Sequence, residues 1–223
     1  MKIEIKKIVL SIIILIAAGV SPNLFVAAQA GYAKLSDLAV MILLPSIAVI
    51  AFVFILNNFF DLKGLNSQIK HGIIAGAAGT IGLEIVREIG FHLGGMPGDM
   101  PKLLGVLLLN QFALGPDTVS NIAGWSYHFW NGASFGIIYS ILFGKGQKWL
   151  GIVYGLLIGA GFMLSPAVVA MGVGYFGADF GIGFPVTVIL AHLAFGSVLG
   201  GIIFRLNKEG LSFFSSLKKI FDK

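Results

Sequence analysis

Cysteine is absent from the 223 residues. That removes disulfides, thiolate metal sites, iron–sulfur clusters and covalent c-type haem attachment from consideration. Charge is scarce: only 11% of residues are Asp, Glu, Lys or Arg, where a soluble domain carries about 25%. A water-soluble globular protein is thereby excluded. HExxH, Walker, GxSxG and strand-borne dinucleotide motifs are missing too, so no sequence signature points to a familiar enzyme chemistry.

Apolar residues and glycine are abundant. Hydrophobic residues make up 57% of the chain and there are 31 glycines; mean hydropathy is +0.94. Small residues let transmembrane helices approach closely. The fold class this predicts is an all-α integral membrane protein, a single membrane domain over residues 1–223. Six apolar stretches predict spans at about 8–30, 36–57, 71–92, 122–143, 149–172 and 184–205, a span taking roughly 20 residues. Pro22, Pro45 and Pro166 are expected kinks. Ala28, Gln29 and Ala30 look like a signal-peptide cleavage site. The apolar run nevertheless continues through Phe25 and Val26, so a retained first helix is expected.

Residues 58–70 are expected to be a polar connection. The segment 102–114 is apolar but too short to span comfortably, and prolines flank it. It is expected to be re-entrant or interfacial. In the tail, residues 209–221, Leu211, Phe214, Leu217 and Phe221 fall near one face and Lys218 and Lys219 elsewhere. That pattern predicts an interfacial amphipathic helix.

Basic residues set the orientation. MKIEIKK, the loop with Lys63 and Lys70, Lys145 with Lys148, and the tail from Arg205 all fall on one side. Lys34 and Lys102 alone fall on the other, with Asp37, Asp99, Asp117 and Asp179. The positive-inside rule then puts both termini in the cytoplasm of a multi-pass inner (plasma) membrane protein. The net charge of +5 reads as topology; the bilayer is the expected partner and nucleic acid is not. A homo-oligomer or a larger membrane complex is compatible with the glycine faces.

One spacing occurs twice. His128, Gly132 and Gly136 match His192, Gly196 and Gly200, and Gly72 with Gly76 matches Gly151 with Gly155. A tandem repeat of two helical hairpins, 71–144 and 150–206, would explain this; chance in a glycine-rich chain is the alternative. Aligning Gly72 with Gly151 sets Glu84 opposite Met163, Glu88 opposite Ala167 and His92 opposite Met171. Polar groups then belong to the first hairpin alone.

Those groups lie in the stretch HGIIAGAAGTIGLEIVREIGFH, residues 71–92. Glu84, Glu88 and His92 are spaced i, i+4, i+8, on one helix face. Charge at that depth is usually paired, cavity-facing or functional. With His128 and His192, the latter about 12 Å in from the outer end of its helix at 1.5 Å per residue, they form a candidate metal set. Imidazole with carboxylate suits zinc, iron or copper. His128 and His192 could instead be the axial ligands of haem b. Arg87, Asp99, Asn131 and Tyr127 are expected around the pocket, Asn131 orienting the His128 ring.

The bland reading stands beside this. Glu84 and Arg87 can neutralise each other, Glu88 can accept from Tyr127 or Trp125, and intramembrane histidines often only hydrogen-bond a neighbour. Trp125, Tyr127 and Trp130 read as an interfacial aromatic belt, and His71 as an interfacial residue. Three functions follow: an outward-facing metal- or haem-binding protein, a proton-coupled small-solute transporter or channel using buried carboxylates, or a non-catalytic subunit.

The pieces YHFWNGASFGIIYSILFG, KWLGIVYGLLIGAG and AHLAFGSVLGGIIFRL resemble YagU-like inner-membrane proteins of bacteria. The resemblance covers about a third of the chain, from Tyr127 to Arg205, and implies an inner-membrane protein. It implies nothing about substrate, and GLEIVREIGFH has no counterpart in it.

Overall fold

The computed structural model describes residues 2–60, 62–208 and 212–221, and all their regular structure is helical. Four helices are long and apolar enough to cross a membrane: Glu4–Gln29, Leu35–Phe59, Lys63–His92 and Gly183–Leu206. The first lies within α1 (Lys2–Gln29), which runs through Pro22; the Asn23 side-chain amide donates to the Gly19 carbonyl there, at 2.7 Å. The second is a rod made of α2 (Leu35–Leu38), a π turn (Ala39–Leu43) and α3 (Leu44–Phe59). Pro45 lies at the start of α3. A proline ring crowds the carbonyl one turn back and offers no amide, and the wider π turn lies just before it.

The third is α4 (Lys63–His92), which begins earlier than the predicted 71–92. The polar residues of 63–70 join the helix because they find partners inside the protein. Asn66 accepts from the Asn57 amide at 2.8 Å and donates to the Phe54 carbonyl at 3.0 Å. Gln68 donates to the Ser140 carbonyl at 3.1 Å. Satisfied in this way, buried amides carry little penalty.

The rest comprises α5 (Met100–Leu108), α6 (Thr118–Phe143), α7 (Lys148–Met163), α8 (Pro166–Ala170), α9 (Gly183–Leu206) and α10 (Phe213–Phe221). Asp117 caps α6 by accepting from the Ser120 amide at 2.7 Å, and the Asp117 amide donates in turn to the Ser120 hydroxyl oxygen, a capping box. That amide hydrogen bond holds the Asp117 carboxyl below its usual range. The single helix expected over 149–172 is two: α7 stops at Met163 and α8 starts at Pro166. The residue before a proline is pushed toward extended backbone, and Ser165 has ψ 155°.

The short apolar segment 102–114 becomes α5 and a 3-10 turn at Phe112–Leu114. Leu104 of α5 is buried in a cluster with Leu24, Phe25 and Tyr127. Of the tail, Lys7 donates to Ser216 at 3.3 Å and Phe213 packs beside Leu10 and Ile14. Leu211 of the predicted apolar face lies outside the described residues.

Packing follows the glycines. α4 lies centrally, against α6 on one side and α9 on the other, and α9 also packs on α7. A Cβ on Gly76 would meet the backbone of Gly132 and Ala133, and one on Gly72 would meet Gly136 and Ile137. In the other hairpin a Cβ on Gly151 would meet Gly196 and Gly200, and one on Gly155 would meet His192 and Gly196. Both crossings are backbone on backbone, which requires the missing side chain. α1 lies on α6 and α3, leaving the rod Leu35–Phe59 mostly exposed outward.

Candidate functional site

On α4, Glu84 and Arg87 are buried. The Arg87 Nε lies 2.9 Å from both Glu84 carboxylate oxygens, and its Nη2 lies 2.8 Å from Glu84 Oε2. An i, i+3 separation places the two side chains on one face. His128 of α6 completes the group: its Nε2 lies 2.9 Å from Glu84 Oε1. An ionised carboxylate only accepts, so Nε2 carries the hydrogen and donates. Trp125 stands edge-on to this imidazole at 6.2 Å.

Glu88 belongs to an outer tier. It takes Arg87 Nη2 at 3.0 Å and lies 3.3 Å from His92 Nε2. Its side chain is 49% exposed and that of His92 is 72% exposed. Asp99 stands 3.7 Å from Arg87 Nη2 and 3.2 Å from Lys102 Nζ. Arg87 is thus the hub of three carboxylates, two of them partly exposed.

Behind the hub is a cavity of about 400 Å³. Its wall draws on every long helix except the rod Leu35–Phe59: Asn23 and Phe25 from α1, Thr80 and Arg87 from α4, and Leu104 from α5. Also on it are His128, Asn131 and Phe135 from α6, Phe162 from α7, and Thr187, His192 and Phe195 from α9. Most of the surface is apolar. The volume and the few convergent polar groups are those of a small-molecule site.

His192 stands on this wall with Nδ1 2.8 Å from the Val188 carbonyl. A carbonyl only accepts, so Nδ1 carries the hydrogen. Gly159 makes room for the ring, since a Cβ there would come within 3.0 Å of it.

The predicted five residues therefore separate. Glu84 and His128 are paired, Glu88 and His92 form a second pair near the surface, and His192 stands on the cavity wall. Among the described residues no group of three or more His, Asp or Glu side chains is placed to hold one metal ion. Glu88 accepts from Arg87 rather than from Tyr127 or Trp125. Tyr127 is buried, not in an interfacial belt, and its hydroxyl donates to the Ser21 carbonyl at 2.7 Å. Asn131 reaches the cavity but its side chain accepts from the Ser21 hydroxyl at 2.5 Å rather than orienting His128. His71 bonds Asn207, Nδ1 to Oδ1, at 2.5 Å. Asn207 in turn donates to Ser140 and to the Gly144 carbonyl, tying α4 to the C-terminal ends of α6 and α9.

Residues absent from the sequence-based set are Asn23, Thr80, Ser165 and Thr187, all on the wall. Thr80 could have been noticed as a lone hydroxyl in a glycine and alanine run, and Ser165 as the residue before a helix-breaking proline. Neither carries a motif. No family model matches the chain, and no match is found among curated proteins or solved structures.

Proposed function

We propose that this is a multi-pass membrane protein that binds a small, mainly apolar solute in the cavity and carries it with a proton. The observation that carries the reading is a cavity of about 400 Å³ with Arg87 and His128 on its wall and Glu84 bonded to both of them. An intramembrane carboxylate is a functional group by default, and carboxylate with imidazole is a common proton relay. Glu84 fits this role better than Glu88 because its neighbours and burial separate it from water. The metal and haem readings have no comparable support: both Glu84 oxygens are engaged by Arg87, one also by His128, and His92 points outward.

In this reading the chain crosses the membrane six times. The four long apolar helices are joined by α6, of 26 residues or about 39 Å, and by α7 extended through α8. Both termini are cytoplasmic, following the basic residues, and the cavity opens toward the outer side. The likeness of the second half to YagU-like proteins agrees with an inner-membrane setting. The matching glycine crossings support the proposed duplication of hairpins.

The test is reconstitution in liposomes enclosing a pH-sensitive dye. Adding a solute that the protein carries moves protons, and Glu84→Gln abolishes that movement while Glu88→Gln leaves most of it. Equal movement by the Glu84 variant removes the proton-coupled reading. Elemental analysis and an absorption spectrum of the purified protein check the other branch; stoichiometric metal or a Soret band would restore it.

A further inference from the structure

The ligand's chemistry can be read from what the cavity wall offers, taking as given the proposed reading that the cavity binds a solute. Three ionisable side chains stand on the wall, Arg87, His128 and His192, and among the described residues no carboxylate does. Glu84 is bonded to Arg87 and His128 but is not itself a wall residue. The three carboxylates that face Arg87, those of Glu84, Glu88 and Asp99, all lie off the wall. An ammonium head would therefore meet the guanidinium first and find no carboxylate within the cavity to pair with, which is unfavourable in a medium of low dielectric.

Hydrogen-bond accounting narrows the head further. Arg87 spends Nε and Nη2 on Glu84 and Glu88. Its side chain is 5% exposed, yet Nη1 is buried with no hydrogen-bond partner among the described residues. A buried charged donor left unmatched is costly, so a partner is expected. His192 spends Nδ1 on the Val188 carbonyl. Its Nε2 remains, a lone pair in the neutral ring and a donor in the charged one. A carboxyl group answers both positions. One oxygen accepts from Arg87, and the other either gives its hydrogen to His192 or accepts from it. An alcohol can satisfy His192 but supplies no charge to the guanidinium.

We propose that the cavity binds a carboxylic acid with an apolar body, its carboxyl group held between Arg87 Nη1 and His192 Nε2 and its chain lying against Phe135, Phe162 and Phe195. Soluble carboxylic acids and fatty acids of the bilayer share this chemistry. The cavity's size favours the shorter ones, since about 300 Å³ is the lower end for drug-sized ligands.

The test is a matched series on the purified full-length chain in detergent: octanoate, octan-1-ol and octylamine, with hexadecanoate as the bilayer-derived arm. Binding is read by equilibrium dialysis. The Ala191→Phe variant, which sets a ring in the cavity where a methyl group lines it, supplies the baseline for micelle uptake. Octanoate is expected to bind saturably and at least about tenfold tighter than octan-1-ol, a charge-assisted hydrogen bond exceeding a neutral one by that much. Octylamine is expected to match the baseline. Arg87→Lys, which loses the planar fork, weakens octanoate by about tenfold and leaves octan-1-ol unchanged. If the arginine variant fails to fold, His192→Gln, which does not disturb the Glu84 pair, is expected to weaken octanoate, and undiminished octanoate binding by that variant overturns the carboxyl assignment. Hexadecanoate binding tighter than octanoate assigns the site to lipid-derived acids. Octan-1-ol or octylamine binding as tightly as octanoate overturns the carboxyl assignment and leaves the cavity reading standing. If no probe exceeds the baseline, both fall.

Discussion

The two hairpins, 71–144 and 150–206, share a crossing and differ in what lies beyond it. In each, a pair of glycines on the first helix presses on glycines of the second: Gly72 and Gly76 against Gly132 and Gly136, Gly151 and Gly155 against Gly196 and Gly200. One turn before these glycines, on the second helix of each pair, stands a histidine, and both histidines line the same cavity. Beyond that point the first hairpin continues as an unbroken helix to His92 and carries Glu84, Arg87 and Glu88. The second has Met163, buried, at the position matching Glu84, and its helix ends there. The two glycine crossings, with α1 and α5, thus supply the walls, and α4 alone supplies the buried ion pair. Sequestered charge needs its partners on a rigid element, and the unbroken α4 provides Arg87 one turn after Glu84.

The sharpest way to break this contrast is to make the hairpins alike at that position. Glu84→Met, which places a methionine where the second helix pair has Met163, leaves Arg87 without its one buried counter-charge and with only the partly exposed Glu88 and Asp99 beside it. It should cost about 3–5 kcal/mol, read as a large fall in the melting temperature in detergent. Adding Arg87→Met should recover most of that loss, because a buried ion pair exchanged for apolar groups is often neutral or stabilising. A double variant as unstable as the single one would mean the pair is not what holds this corner.

Next in size are the crossings. Gly76→Leu and Gly155→Leu each drive a side chain into backbone that has nowhere to go, at a cost of about 3 kcal/mol or somewhat more. Equal losses, measured in the same detergent, sharpen the equivalence of the hairpins; a mild effect in one would break it. The two histidines should then separate. His128→Ala removes a hydrogen bond to a charged group, about 1.5–3 kcal/mol, and His192→Ala a neutral bond to a helical carbonyl, about 0.5–1.5 kcal/mol. The smallest effect belongs to the outer tier. Glu88→Gln and His92→Ala should change stability by less than about 0.5 kcal/mol, as exposed pairs generally do.

Much of the architecture was legible because burial in a membrane writes itself into composition. Long apolar runs mark α1, the rod Leu35–Phe59 and α9 without reference to anything else. The interruption at Pro166 was visible as a proline, though not as a full break with a separate α8. The start of α4 was misjudged because Asn66 and Gln68 look like loop residues until Asn57, Phe54 and Ser140 are brought to them. The candidate site was legible as residue types and not as an arrangement. Glu84 with Arg87 follows from an i, i+3 spacing, and Glu88 with His92 from i, i+4. That His128 joins the first pair, and that His192 joins neither, depends on contacts between helices.

By itself the sequence determined that the chain is helical and membrane-embedded, where its glycine faces lie, and which few ionisable groups it places among apolar ones. Those are properties of composition and of the 3.6-residue period. Only the tertiary structure decided that Glu84 is held by Arg87 and His128, that Glu88 and His92 turn outward, and that α1, α4, α5, α6, α7 and α9 leave a cavity between them. A cavity is a mismatch in how several helices fill space, and no single helix encodes it.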